Sequence, residues 1–287
     1  MGSFKDIGDS ESVNSKYSGR AIIYLESKED YQIFSKRWFY DQGEFLEFRP
    51  SDIGSGGGCT NVIKDVENDR EKNIPSFGIV DRDALMQQHK WKEFWETDDS
   101  KYKEYRPFGE NIRPLCRWEI ENYLFDIDEI EHLLADIGKG SPRETRKKSI
   151  VIKELIIHCD VLIPIMAYNV SRHINGQDAL PVAYCVNETI RIYSEKIIKE
   201  KIDKEEKEIY EDIISKIENF KFNSDEITEE SFYKINRIID GKRLFERLKN
   251  HNRLTDDYRF LLARRIKENG NIDSELLEMI EEFKGLN

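Results

Sequence analysis

Two short apolar runs, Ala21-Ile22-Ile23-Tyr24-Leu25 and Phe77-Gly78-Ile79-Val80, constrain this chain more than any other feature. Neither carries a charge, and each is followed at once by acid: Glu26 after the first, Asp81-Arg82-Asp83 after the second, with Asp81 standing 55 positions beyond Glu26. Runs of this length without polar alternation fit strands covered on both faces, and such strands belong to parallel sheets with helical crossovers. In open α/β folds the chemistry lies beyond the carboxyl ends of the strands. Three acids therefore stand where such a fold places its site, and clustered carboxylates there bind Mg²⁺ or Mn²⁺ well.

The segments around these runs read as alternating strand and helix. Ser27-Lys28-Glu29-Asp30 has the form of a capping box, and Tyr31, Phe34 and Trp38 follow at helical spacing. Glu44 to Arg49 reads as a second strand leading into Gly54-Ser55-Gly56-Gly57-Gly58, a flexible connection near the active edge. That cluster lacks the Gly-Lys-Ser/Thr ending of a P-loop and the last glycine of a dinucleotide fingerprint, so ATP hydrolysis by this chain is not expected. Val62, Ile63 and Val66 mark another helix, and Ile112 to Arg117 a fourth strand, in which Pro114 removes a ladder donor and points to an edge or a bulge. Trp91 and Trp95 lie in a polar connection, where aromatics more often pin a loop onto the core than stack bases.

Beyond about Asp126 the periodicity becomes helical. Ile190, Tyr193 and Ile197, then Ile209, Ile213 and Ile217, recur at helical spacing around the charged stretch from Lys199 to Glu208, read as a solvated face. Further helices are expected over 128–136, 148–158, 230–239, 241–249, 258–267 and 274–283. The expected architecture is α/β, a parallel sheet flanked by helices over 18–126 with an α-helical C-terminal half over 127–287, preceded by a disordered stretch at 1–17.

A chain of 287 residues with 38% hydrophobic and 36% charged residues builds a real core under an ionic surface. Its net charge of -12 excludes coating nucleic acid through a general positive field. Any such substrate is gripped by a local basic patch or through metal. One candidate patch holds Lys139, Arg143, Arg146, Lys147, Lys148 and Lys153, another Lys242, Arg243, Arg247, Lys249 and Arg253. Cys59, Cys116, Cys159 and Cys185 form no C-x-x-C pair, so buried reduced thiols are expected. The polar N-terminus shows no secretory signal, and 155–170 is too short to span a bilayer; a cytoplasmic protein off the membrane is the expectation.

Asp81 and Asp83 reach one side together if the strand direction continues through Arg82. Glu26, at the end of a neighbouring strand, is a second ligand or a general base. Arg117-Trp118-Glu119-Ile120-Glu121-Asn122 brings two more acids, Glu119 and Glu121, either of which is a candidate ligand, and Asn122, which orients a ligand or caps a helix. A helix start rich in Glu explains them equally well. Phosphate-ester hydrolysis on RNA or DNA, a Mn²⁺ glycosyltransferase and a non-catalytic partner-binding module all remain open on these residues.

Leu25-Glu26-Ser27-Lys28-Glu29-Asp30 and Ile79-Val80-Asp81-Arg82-Asp83 resemble the Glu motif and the D-x-D motif of the Toprim domain shared by topoisomerases, bacterial primases and OLD-type nucleases. More narrowly, Trp118-Glu119-Ile120-Glu121-Asn122-Tyr123-Leu124 and Ile239-Asp240-Gly241-Lys242-Arg243-Leu244 resemble a Toprim-like family with a helical C-terminal half. That family supplies the effector nuclease of the two-gene PARIS anti-phage system. The resemblance implies a Mg²⁺-dependent endoribonuclease that an ABC-type ATPase holds and releases, that dimerises when freed, and that cuts host tRNA. It makes Glu26 the catalytic acid or base and Asp81 and Asp83 metal ligands. Glu119 or Glu121 becomes an accessory ligand, with Glu121 placed at the metal, and Lys242 with Arg243 the phosphate contacts. Ser27 stands where the Toprim pattern usually has glycine.

Overall fold

A computed structural model describes residues 19–51, 58–136, 146–182, 184, 188, 190–202, 206–221 and 227–286. The expectations for 1–17, Gly54 to Gly57, Lys139, Arg143 and Cys185 fall outside these residues. The described chain is α/β, with a parallel four-stranded sheet and many helices. It forms two compact units that do not divide at 126: one comprises Met1–Ala84, Arg106–Leu115 and Lys267–Asn287, the other Leu85–Tyr105 and Cys116–Ile266.

The first unit holds the sheet. Strands β1 (Ala21–Leu25), β2 (Leu46–Pro50), β3 (Ser76–Val80) and β4 (Ile112–Pro114) run parallel in the order β2-β1-β3-β4. Both expected central strands are buried at every position. Pro114 sits on the edge strand opposite Val80, where the missing N–H costs no inner ladder bond. Helix α1 (Lys28–Ile33) is capped by Ser27, whose Oγ accepts the Asp30 N–H at 3.1 Å, and continues through a wider π turn that buries Phe34 and Trp38.

Helix α2 (Cys59–Glu71) covers one face of the sheet, packing Val62 and Val66 on Ile22, Tyr24, Val80 and Ile112. A Cβ on Gly78 would lie 2.6 Å from Val62 Cγ1, so glycine in β3 sets how closely α2 approaches. Tyr24 Oη donates to Asp69 at 2.8 Å beneath this helix, and burial together with Asp69 pushes the phenol pKa up. On the opposite face Phe283 stacks on Phe77 with centroids 4.5 Å apart, and Glu282 pairs with Arg113. These contacts place the last helix, Ser274–Gly285, in the sheet unit. Its periodicity announced a helix but not its partner.

Helix α3 (Asp83–Gln87) starts in the first unit, whose first stretch ends at Ala84, and the second unit continues with α4 (Trp91–Phe94) and α5 (Asp99–Glu104). The Trp95 ring and the buried Trp118 both pack against Phe94, so these aromatics secure the connection, as expected of pinning residues. A 3₁₀ turn (Ile120–Leu124) precedes α6 (Ile127–Asp136) and the 27-residue α7 (Lys148–Ile174). Around α7 pack α6, α8 (Arg191–Lys199), α9 (Glu206–Glu218), α10 (Glu229–Asn236) and α11 (Gly241–Asn252); α12 (Arg259–Glu268) follows, and the Ser274–Gly285 helix is α13.

Helix α7 runs 16 residues past the expected end at His158 and passes through Pro164. Proline removes the donor that would bond the Asp160 carbonyl, yet residues 161–171 are buried all round, and burial on every side holds the helix through the defect. The neighbouring Val161 carbonyl accepts a bond from the fully buried Ser194 hydroxyl at 2.9 Å. That requirement turns α8 so that Ser194 and Ile198 face inward, while Tyr193, expected on the buried face, is 51% exposed. Ser194→Ala is expected to lower stability by about 1–2 kcal/mol in urea denaturation; an unchanged midpoint removes Ser194 from this role.

Among the described residues no helix is long and apolar enough to cross a membrane. Cys59, Cys116 and Cys159 are buried, and among the described residues none of them forms a disulfide.

Candidate metal centre

Glu26, Asp81 and Asp83 meet in the first unit. Each offers one carboxylate oxygen within 4.8 Å of the others, and all three side chains are half-buried. Parallel pairing produces this: β1 and β3 are adjacent and co-directional, with Tyr24 opposite Gly78, so the residues after both strands leave from one edge. Glu26 Oε1 accepts the Asp81 N–H at 2.9 Å, which ties the two strand ends together and fixes the carboxylate.

The aspartates come together by a different route from the one expected. The strand does not continue through Arg82: β3 stops at Val80, the Ala84 N–H bonds the Asp81 carbonyl at 3.1 Å, and Asp83 is the first residue of α3. A turn, not i,i+2 extension, aligns the pair. Arg82 is wholly buried between them.

Ser27 is no obstacle at the turn after Glu26. Its backbone, at φ −137 and ψ 167, lies in extended space open to any residue, and its hydroxyl caps α1. The glycine geometry sits across from it instead: Gly58, at φ +117, begins α2, and a Cβ there would lie 3.9 Å from Glu26 Oε2.

Three carboxylates form a hard, all-oxygen donor set that suits Mg²⁺ or Mn²⁺ and not a soft metal. One oxygen from each residue lies within 4.8 Å of the others, close enough for Glu26, Asp81 and Asp83 together to hold a single cation.

Glu119 and Glu121 belong to the second unit, and both are buried. Glu119 Oε1 accepts the Lys242 N–H at 2.7 Å, and its Oε2 holds Lys242 Nζ at 2.7 Å. Glu121 Oε1 accepts from Arg259 Nη1 at 2.8 Å, and its other oxygen lies 3.8 Å from Lys242 Nζ. Arg259 escaped the sequence reading because it stands 138 positions from its partner with no motif of its own.

Asn122 is fully buried and caps its own turn, accepting the Glu119 N–H at 3.0 Å. Its amide also donates to Asn236 O at 2.8 Å and Ile239 O at 2.8 Å, which fastens the 3₁₀ turn to the end of α10 and to the connection that leads into α11. A Cβ on Gly241 would stand 2.6 Å from Asn122 Oδ1 and 2.9 Å from its backbone nitrogen, so that approach requires glycine.

Lys242 and Arg243 differ sharply in setting. Lys242 keeps 44% of its side chain exposed, whereas Arg243 is 2% exposed. The guanidinium of Arg243 bonds Asp240 at 3.0 Å and the carbonyls of Leu180, Pro181 at 2.8 Å and Val182 at 3.2 Å. Arg243 thus anchors a loop, leaving it no open face for phosphate. Burial and the charge on Glu119 push the Asp240 carboxyl up to about 7, against the pull of Arg243. In the other basic patch Arg146 pairs with Glu154 at 2.6 Å and Lys148 with Asp128 at 2.7 Å, while Lys147 and Lys153 are exposed. Burial and Arg247 depress His158 to about 3, which keeps the ring neutral.

Comparison with protein-family models, with curated proteins and with solved structures gave no match.

Proposed function

We propose that this chain is a metal-dependent endonuclease of Toprim type that cleaves RNA. The carrying observation is the meeting of Glu26, Asp81 and Asp83 at the carboxyl edge of adjacent parallel strands. Asp81, Asp83 and one oxygen of Glu26 would hold the cation. A bound Mg²⁺ or Mn²⁺ supplies neutralisation of the charge that develops on the phosphoryl oxygens.

The residues themselves do the positioning and the proton transfer. The Asp81 N–H fixes Glu26 Oε1 and so aims the carboxylate. As the attacking oxygen bonds to phosphorus, Glu26 takes its proton. The bond from phosphorus to the leaving oxygen breaks, and that oxygen is protonated from solvent. In the second unit, described by itself, the resemblance offers Lys242, exposed yet held by Glu119, as a phosphate contact. For Glu119 and Glu121, which the resemblance offers as accessory ligands, the ion pairs favour a different part: they position Lys242 and Arg259.

The narrower reading, a tRNA-cutting PARIS effector restrained by an ABC-type ATPase and active as a homodimer, rests on the resemblance of 118–124 and 239–244 alone. Purified chain is expected to cleave tRNA with Mg²⁺, to stop with EDTA and to leave duplex DNA intact. Cleavage of DNA instead moves the assignment to a Toprim DNA nuclease. No cleavage of either, with no metal bound, removes the enzyme reading.

A further inference from the structure

His89 stands where the end of a helix usually has glycine. Two residues past α3 its backbone is left-handed, at φ 56, and it closes the helix as a Schellman turn. Its own N–H bonds the Met86 carbonyl at 3.1 Å, and the Lys90 N–H bonds the Leu85 carbonyl at 2.7 Å. Glycine takes that conformation freely, whereas a side chain there is kept at a conformational cost. The side chain that this chain keeps is an exposed ring.

Two further rings meet it. The His89 centroid lies 6.3 Å from that of Trp91 and 6.2 Å from that of His173, and those two are 6.3 Å apart. All three belong to the second unit. Trp91 and His173 are half-buried and fastened: Trp91 meets the fully buried Phe94 edge-on at 5.8 Å, and His173 Nε2 donates to the Met86 carbonyl at 3.2 Å. His89 is therefore the outermost ring of a cluster whose inner members are held in place.

The charge around the cluster runs against that of the chain. Acids outnumber Lys and Arg by 57 to 45, yet the run from Ala84 to Lys92 contains neither Asp nor Glu and sets Lys90 and Lys92 on either side of Trp91. Both lysines are exposed, and among the described residues neither forms an ion pair; Lys92 Nζ lies 5.4 Å over the Tyr105 ring. Other lysines of the unit are held by carboxylates, as Lys148 is by Asp128 and Lys242 by Glu119. Exposed aromatic rings between unpaired ammonium groups suit a ligand that carries both anionic groups and flat rings, which describes a nucleic-acid strand. A duplex closes the faces of its bases in the stack, so the rings favour a single strand.

We infer that His89, Trp91 and His173, with Lys90 and Lys92, form a contact for single-stranded RNA. An unstacked nucleobase lies on the His89 and Trp91 rings, and the two ammonium groups meet backbone phosphates. The contact rests on the nuclease reading for its ligand and adds how the second unit holds it. These residues bind the strand and move no proton.

The probe is a short fluorescein-labelled single-stranded RNA, read by anisotropy on the full chain in EDTA so that nothing is cut. His89→Gly is expected to bind it about tenfold more weakly, the worth of one base on a ring. The same variant should melt no lower than wild type, because glycine suits the left-handed backbone. His89→Asn tolerates that backbone without an aromatic ring and should bind as weakly. Replacing Lys90 and Lys92 together by Gln should reduce the slope of log affinity against log salt by about 1.4, since each single-strand phosphate contributes about 0.7. Binding of duplex RNA should be unchanged by His89→Gly.

Equal affinity for the single strand in wild type and His89→Gly overturns the contact. So does a lower thermal midpoint for both His89 variants, which means the ring serves the fold. Polyglutamate that displaces the labelled strand as readily as unlabelled RNA does also overturns it, and makes the patch a docking surface for an acidic protein. Failure of the nuclease reading is a separate result: ring-dependent RNA binding in a chain that cuts neither RNA nor DNA with Mg²⁺ keeps the contact and discards the nuclease. Cleavage with an unaltered KM in His89→Gly keeps the nuclease and discards the contact.

Discussion

Glu26→Gln is expected to lower metal-dependent RNA cleavage by about a thousandfold or more while leaving the fold intact. The amide oxygen of glutamine still accepts the Asp81 N–H that Glu26 Oε1 accepts at 2.9 Å, so the tie between the two strand ends survives. What disappears is the negative charge and the basic oxygen. Since three carboxylates converge within 4.8 Å, removing one charge relieves repulsion, and the ligand-free protein should melt no lower than wild type. The measurement is single-turnover cleavage of tRNA beside a thermal melt and Mg²⁺ titration. Cleavage within tenfold of wild type would falsify the role given to Glu26.

The largest loss of stability is expected from Asn122→Ala, about 3–5 kcal/mol in the second unit. This residue donates to the carbonyls of Asn236 and Ile239 and accepts the Glu119 N–H, all inside a site with no exposure. Alanine leaves each of those groups buried without its partner, and every orphan costs about 1–3 kcal/mol. Trp91, Trp95 and Trp118 all lie in that unit, so urea denaturation followed by tryptophan fluorescence reads it. A loss below about 1 kcal/mol together with a collapse of activity would turn Asn122 back into a residue that orients a ligand.

Much of the sheet was legible because its determinants are local. Uninterrupted apolar runs specify doubly covered strands, Ser27 to Asp30 specifies a cap, and Pro114 specifies an edge, each within a few residues. The acids of the centre were legible for the same reason, since parallel strands bring their carboxyl ends to one edge whatever the loops between them do. The turn at Arg82 was not, because extended and turned backbones give the same D-x-D spelling.

The misreadings share one cause. The inward face of α8 is set by the need of Val161 for the Ser194 hydroxyl, which no periodicity in 190–197 records. Arg243 looked like an exposed cation in a basic patch, and three distant carbonyls bury it. Partners such as Glu121 and Arg259, 138 positions apart, are invisible until the chain is folded.

The sequence by itself determined a parallel sheet with Glu26, Asp81 and Asp83 at its carboxyl edge and a helical remainder. Patterns of burial and turn chemistry act over a few residues, and that range is enough to choose strands, caps and strand ends. Only the tertiary structure decided which acids converge within ligand distance and which glutamates are taken up by cations. Those outcomes depend on register and on long-range packing, where the partner of a side chain is chosen by the fold and not by its neighbours in the chain.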